Sequence, residues 1–106
     1  MDAAKRARLE AAGFRVGTVS DFLGLSREEN ELIELRMALS GELKRHRLVL
    51  GLSQAALARR LGSSQSRVAK MEAGDPGVSL DLMIRALILT GASRSDLGRI
   101  IGANST

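Results

Sequence analysis

The chain has 106 residues and a net charge of +4, which suits one small domain with a short appendage. It contains no cysteine, so we expect neither disulfides nor a cysteine-based zinc site, and no apolar run approaches the ~18 residues of a membrane span. The first 20 residues lack the apolar stretch of an export signal, so we expect a cytoplasmic protein.

Positive charge is concentrated in one part of the chain. Residues 44–74 carry seven Lys and Arg against one Glu, a net charge of +6, whereas residues 21–43 have a net charge of −4. The basic block would attract a polyanion. A solvated basic helix face explains the charge equally well, so charge alone does not decide the function.

The first part of the chain predicts a helix followed by irregular structure. Residues 3–12 are strong helix formers that end at Gly13, and residues 14–19 alternate too weakly for a convincing strand. A short turn is expected from Asp21 to Gly24. We therefore treat residues 1–25 as an N-terminal extension and residues 26–106 as the main domain.

A long helix is expected to begin at Ser26. Ser26 and Glu29 have the spacing of a capping box, and leucines follow on one stripe that reaches Leu50 before Gly51: Leu32, Leu35, Leu39 and Leu43. Gly41 leaves open whether this helix is continuous or broken, because glycine costs a helix ~1 kcal/mol relative to alanine.

Four shorter helices should follow, each beginning after a serine that can cap it. Their expected ranges are Gln54–Leu61, Gln65–Ala73, Ser79 to about Thr90, and Ser93 to about Ile101. No segment alternates like a strand. The sequence therefore predicts an all-α domain of about five helices.

Residues 54–73 have the pattern of a helix-turn-helix. Ala58 is small where two helices must approach closely, and Gly62 permits the positive φ of a tight turn. Each helix has an apolar inward face, formed by Leu57, Leu61, Val68 and Met71. In this arrangement the second helix enters the DNA major groove.

The sequence here resembles the lambda-repressor-like (Xre) helix-turn-helix family. The resemblance is carried by GLSQAALARRLGSSQSRVAKMEAG, Gly51 to Gly74, with its small residue, turn glycine, paired apolar positions, two Ser-Gln steps and closing Glu-x-Gly. Ser63 departs from the family, which usually has Val or Ile there. The resemblance implies a lambda-repressor-like five-helix DNA-binding domain over about residues 43–101.

Ser64, Gln65 and Ser66 are candidates for reading DNA bases, because they begin the second helix of the motif. Gln can bond adenine in bidentate fashion, worth about 1–3 kcal/mol of discrimination. Lys70, about one turn further along, can reach guanine or a phosphate.

The candidates for binding DNA phosphates lie on both helices of the motif. Gln54 and the free amides at its helix start suit a phosphate. Arg67 points away from the predicted inward face. Arg59 is a weaker candidate, because it and Arg60 can simply be solvated.

The family resemblance also implies a structural ion pair between Arg47 and Glu72. The alternative is two independent solvated charges. His46 lies on the apolar stripe and is expected to pack rather than to bind a ligand. A lone His does not make a metal site.

No cofactor, metal or catalytic residue is expected. The sequence shows neither a nucleophile with an adjacent base nor a phosphate-binding glycine loop. An acidic cluster has the pattern of a solvated helix face rather than a catalytic pair: Glu28, Glu29, Glu31 and Glu34. We therefore do not expect an enzyme.

One helix-turn-helix reads only a few base pairs, so we expect a homodimer on double-stranded DNA with a palindromic operator. Leu97, Ile100 and Ile101 are apolar near the chain's end. They can form the dimer contact or cover the core of the monomer.

The N-terminal extension adds a narrower resemblance. Residues 5–40, with the pattern LEAAGF-x-VGTV-x-DFLGLS, resemble the start of HigA-like antitoxins, small Xre proteins encoded beside RelE/HigB-like toxins. This implies a repressor that neutralises an mRNA-cleaving toxin and represses its own operon. The candidate toxin-binding residues are Leu9, Phe14, Val16, Val19, Phe22 and Leu23.

Three alternatives remain open at this point. The extension can pack on its own domain instead of on a toxin. The protein can be a stand-alone or phage-type regulator without a toxin partner. An adaptor that has lost DNA binding is disfavoured by the basic block and by Gln65.

Overall fold

The computed structural model of the protein describes Gly24 and residues 26–103. Within that range it contains no β-strand and five α-helices: α1 Arg27–Val49, α2 Gln54–Leu61, α3 Gln65–Glu72, α4 Leu80–Leu89 and α5 Arg94–Gly102. The predicted all-α, five-helix fold is confirmed. The helix expected over residues 3–12 and the connection over 14–19 lie outside the described residues.

The chain divides into two units, residues 1–32 and 33–106. The described part of the first unit includes the start of α1, where the predicted capping box is present. The Ser26 backbone N–H donates to Glu29 Oε1 at 2.8 Å, and the Glu29 N–H donates to Ser26 Oγ at 3.1 Å. The first of these hydrogen bonds is the main cause that lowers the pKa of Glu29.

Helix α1 continues through Gly41, which settles the question that the sequence left open. Leu39 and Leu43, on either side of that glycine, are buried at 1% and 0% exposure and anchor the helix to the core. The leucine stripe predicted from the sequence is too long at both ends. Leu32 and Leu50 are 44% and 48% exposed, because the core of the domain covers only the part of α1 between them.

Each shorter helix begins at the serine that the sequence predicts. In every case the serine hydroxyl accepts a hydrogen bond from the backbone N–H three residues later, and the capping serines are Ser53, Ser64, Ser79 and Ser93. Such caps contribute ~1 kcal/mol each to stability. They also explain why these segments, three of them only 8 or 9 residues long, form separate helices.

The core of the second unit is made of aliphatic side chains from all five helices. Its fully buried members include Leu43, Leu57, Val68, Met71, Met83 and Leu87. Ile100 is 4% exposed and Leu97 packs against the core, whereas Ile101 is 49% exposed. Helix α5 therefore covers the monomer core with two of the three residues that the sequence offered as a dimer contact.

None of the helices in the described part of the chain is long and apolar enough to cross a membrane.

Candidate nucleic-acid interface

Helices α2 and α3 form a helix-turn-helix that is closed by Gly62. Gly62 has φ 69° and ψ 36°, a left-handed conformation in which a side chain would be strained. The backbone N–H of Ser63 donates to the Ala58 carbonyl oxygen at 2.9 Å, and Ala58 itself is 3% exposed. The small residue and the turn glycine thus have the structural roles that their types predict.

Helix α3 is anchored on one side and open to solvent on the other. Val68 and Met71 are fully buried, three residues apart on the inward face. The outward face consists of exposed polar and basic residues: Gln65, Ser66, Arg67 and Lys70. Every predicted base-reading side chain is therefore exposed, and Ser64, also exposed, caps the helix by accepting from the Arg67 N–H at 3.1 Å.

A cleft of about 440 Å³ runs beside this helix. One wall is formed by the start and outer face of α3, and the other by the α3–α4 loop and the first turn of α4. The lining residues are Ser64, Ser66, Arg67, Lys70, Asp75, Gly77, Val78, Ser79 and Leu82. The cleft brings together both predicted base-reading serines with Lys70 and Arg67. The other predicted DNA contacts do not line it: Gln65, Gln54 and Arg59.

Glu72 ties the helix-turn-helix to α1. Arg47 Nε donates to Glu72 Oε2 at 2.5 Å and Arg47 Nη2 donates to Oε1 at 3.0 Å, while Nη1 donates to the Leu52 carbonyl oxygen at 2.8 Å. The two side chains are only 10% and 5% exposed. The hydrogen bond to Glu72 is the main cause that raises the pKa of Arg47.

Gln54 joins the same cluster. Its Nε2 donates to Glu72 Oε1 at 3.2 Å, which links the start of α2 to the end of α3. Because a carboxamide nitrogen carries two hydrogens, this bond leaves one donor for a phosphate. The first backbone N–H groups of α2 have no acceptor within the helix, as at any helix N-terminus, and therefore suit an anion.

The basic block of the sequence does not form one basic surface. Arg47 is buried against Glu72, and Arg45 pairs with Glu42, with Nη2 2.6 Å from Oε1. The basic residues left exposed on the helix-turn-helix itself are Arg59, Arg60, Arg67 and Lys70. Folding therefore separates structural arginines from those that can meet a polyanion.

His46, on α1, is half-buried against the end of α4. Its Nδ1 lies 3.3 Å from the Thr90 carbonyl oxygen, and its Nε2 lies 3.7 Å from Glu42 Oε1. The described residues contain no group of three His, Cys, Asp or Glu that could hold a metal ion. His46 packs at an interface between helices, as its place on the stripe predicts.

Sequence reasoning missed Arg36. This arginine is 9% exposed, and its Nη1 donates to the Val78 carbonyl oxygen in the α3–α4 loop. A signal was present in the sequence: Arg36 lies three and seven residues before Leu39 and Leu43, on the same face of α1. Its charge points the other way, because a single arginine among acidic residues is usually solvated.

A helix-turn-helix whose second helix is anchored by buried side chains and exposes polar residues on its outer face is the architecture of a DNA-binding protein. The chain belongs to the helix-turn-helix domain family, whose model matches residues 38–100, more than half of its length. It is an Xre-like DNA-binding regulator. Searches of curated proteins and of solved structures returned no match.

Proposed function

We propose that the protein is a sequence-specific transcriptional repressor that inserts α3 into the major groove of its operator. The observation that carries this proposal is the two-sided character of α3, with Val68 and Met71 fully buried behind an exposed face of polar and basic residues. In this reading Gln65 bonds an adenine edge, Ser64 and Ser66 contact neighbouring bases, and Lys70 reaches guanine or a phosphate.

Phosphate contacts would fix the register of α3 on the duplex. Arg67 is exposed beside the cleft. Gln54 has one carboxamide hydrogen that its bond to Glu72 does not use, and it stands at the start of α2, where the first backbone amides suit a phosphate. Arg59 is exposed on α2 and completes the proposed phosphate set. These contacts carry no sequence information, but they supply most of the salt-dependent affinity.

The repressor is proposed to act as a homodimer on a palindromic operator. Two copies double the number of bases read, which raises the ratio of specific to non-specific affinity. Sedimentation of the free protein and of its complex with a two-half-site duplex measures the stoichiometry. One subunit per duplex at saturation would contradict this part of the proposal.

The direct test is selection of binding sites from random duplexes, followed by titration of wild type and Gln65→Ala. The variant should lose about 1–3 kcal/mol on the selected site and accept other bases at one position. Arg99→Ala is the control, because Arg99 is exposed on α5 and pairs with Asp96 at 2.7 Å, outside the cleft beside α3. Equal losses by Gln65→Ala on all duplexes would remove it from the base-reading set.

We further propose that this repressor is a HigA-like antitoxin of a RelE/HigB-like toxin. The support is the resemblance of residues 5–40 to such antitoxins and the acidic start of α1, where Glu28, Glu29 and Glu31 are exposed and can meet a basic RNA-cleaving protein. The six candidate toxin-binding residues before Gly24 lie outside the described residues. This part of the proposal therefore rests on the sequence.

Co-expression with the neighbouring reading frame tests the antitoxin role. The full chain should restore growth to cells that express the toxin and should be recovered with it by affinity purification. A chain that lacks residues 1–25 should still bind the operator but neutralise the toxin less well. Full neutralisation by the truncated chain would refute the role of the extension, and a harmless neighbouring gene product would favour a stand-alone regulator.

A further inference from the structure

Arg36 is a buried cation that is held by main-chain oxygens. Its Nη1 donates to the Val78 carbonyl oxygen, lies 3.5 Å from the Asp75 carbonyl oxygen, and is 3.6 Å from Met83 Sδ. No carboxylate among the described residues forms an ion pair with it. Burying a cation is costly unless it is hydrogen-bonded, so these contacts determine where the guanidinium and its acceptors lie.

The acceptors of Arg36 belong to the loop that forms the second wall of the cleft. Within this loop the Val78 N–H donates to the Asp75 carbonyl oxygen at 3.1 Å, and the Gly77 N–H donates to Asp75 Oδ1 at 2.7 Å. Arg36 therefore holds both ends of the Asp75–Val78 turn from the side that faces α1. Asp75, Gly77 and Val78 of the same turn also line the cleft beside α3.

A second contact brings α1 and this loop close together. Gly74, two residues after the end of α3, has φ +74°, and a Cβ built on it would lie 2.5 Å from Met37 Sδ. Met37 follows Arg36 directly on α1. Met37 is 53% exposed and its thioether is flexible, so this contact shows only that α1 and the loop lie close together, and Arg36 is the residue of α1 that holds the loop.

We propose that Arg36 is a positioning residue for DNA recognition, which fixes the Asp75–Val78 turn and thereby the width of the cleft beside α3. This inference rests on the proposed function. It assigns to a side chain that touches no DNA a part in choosing between operators.

The test compares Arg36→Lys and Arg36→Gln with Ile100→Ala. Ile100 is 4% exposed on α5, so its truncation destabilises the core without touching the loop. Each protein is titrated, well below its melting temperature, with the duplex that wild type selects and with a scrambled duplex. Arg36→Gln should lower the ratio of the two affinities about tenfold, the size of one base contact. Arg36→Lys should lower it by less, because the ammonium keeps the positive charge and three N–H donors for the loop carbonyls.

Hydrogen exchange separates positioning from general destabilisation. In Arg36→Gln the amides of Gly77 and Val78 should exchange faster while that of Val68 stays protected, whereas Ile100→Ala should leave that local pattern unchanged. An affinity ratio for Arg36→Gln equal to that of Ile100→Ala would overturn the inference, even if the turn loosens. Wild type that binds both duplexes equally would instead refute the proposed function.

Discussion

The buried pair of Arg47 and Glu72 makes the sharpest prediction about the fold. The two carboxylate oxygens are bonded by Nε and Nη2 at 2.5 and 3.0 Å, with both side chains at most 10% exposed. Removing one partner leaves an uncompensated buried charge, which typically costs about 3–5 kcal/mol. Arg47→Met and Glu72→Met should each lose about that much stability.

The measurement is thermal and urea unfolding of the full chain in a double-mutant cycle. For a domain of this size a loss of about 3 kcal/mol lowers Tm by roughly 12–24 °C. The double variant Arg47→Met/Glu72→Met should recover most of the loss, because two apolar side chains of similar volume can replace a buried ion pair. The coupling energy should therefore approach the sum of the two single losses.

The control is an arginine–glutamate pair on the surface of α1. Arg45 and Glu42 are in contact at 2.6 Å, but their side chains are 57% and 29% exposed. Exposed pairs contribute about 0–1 kcal/mol, so Arg45→Met should change Tm by only a few degrees. Single variants of Arg47 and Glu72 that behave like this control would show that the two charges are solvated independently, and the structural role would be refuted.

Three further predictions concern DNA binding, the turn and acid stability. Lys70→Ala should lower the slope of log affinity against log salt by about 1 per subunit, with Arg99→Ala as the control, and an unchanged slope would exclude a phosphate contact by Lys70. In urea unfolding, Gly62→Ala should destabilise the domain by about 1–2 kcal/mol, because the φ of Gly62 is positive. Gly41→Ala should instead stabilise it by about 0.5–1 kcal/mol, because Gly41 lies inside α1 and nothing is within 4 Å of the added carbon. The pKa of Asp96 is lowered from 3.8 to about 2, chiefly by a hydrogen bond from the Ser93 backbone N–H. The ionised carboxylate therefore stabilises the folded state at pH values above the unfolded pKa, and this stabilisation is lost as the pH falls toward 2. Asp96→Asn should flatten the pH dependence of stability in that interval, and an unaltered profile would contradict the assignment.

Local chemistry explains why so much of the helix-turn-helix could be predicted. A serine before each helix and the glycine at the turn act through hydrogen bonds and dihedral angles that span only a few residues. Val68 and Met71 are three residues apart, so their common inward face follows from helix periodicity alone. These features do not depend on how distant parts of the chain meet.

Charge was harder to interpret, because its role depends on partners far away in the sequence. Arg36, Arg47 and Arg67 are the same residue type, yet one binds loop carbonyls 39 and 42 residues away, one pairs with a glutamate 25 residues away, and one is exposed beside the cleft. The pairing of Arg47 came from family resemblance rather than from spacing. The place of Arg36 on the leucine face of α1 is a local signal of burial, but nothing local identifies the partner of any of the three.

Short stretches of sequence therefore determine the order of the helices, their caps, the turn and the outward residues of α3. The length of α1 that the core covers, the burial of Arg36 and the cleft between α3 and the following loop came only with the packed domain. The physical reason is that desolvation is collective: whether a leucine or an arginine is buried depends on which remote surfaces close over it.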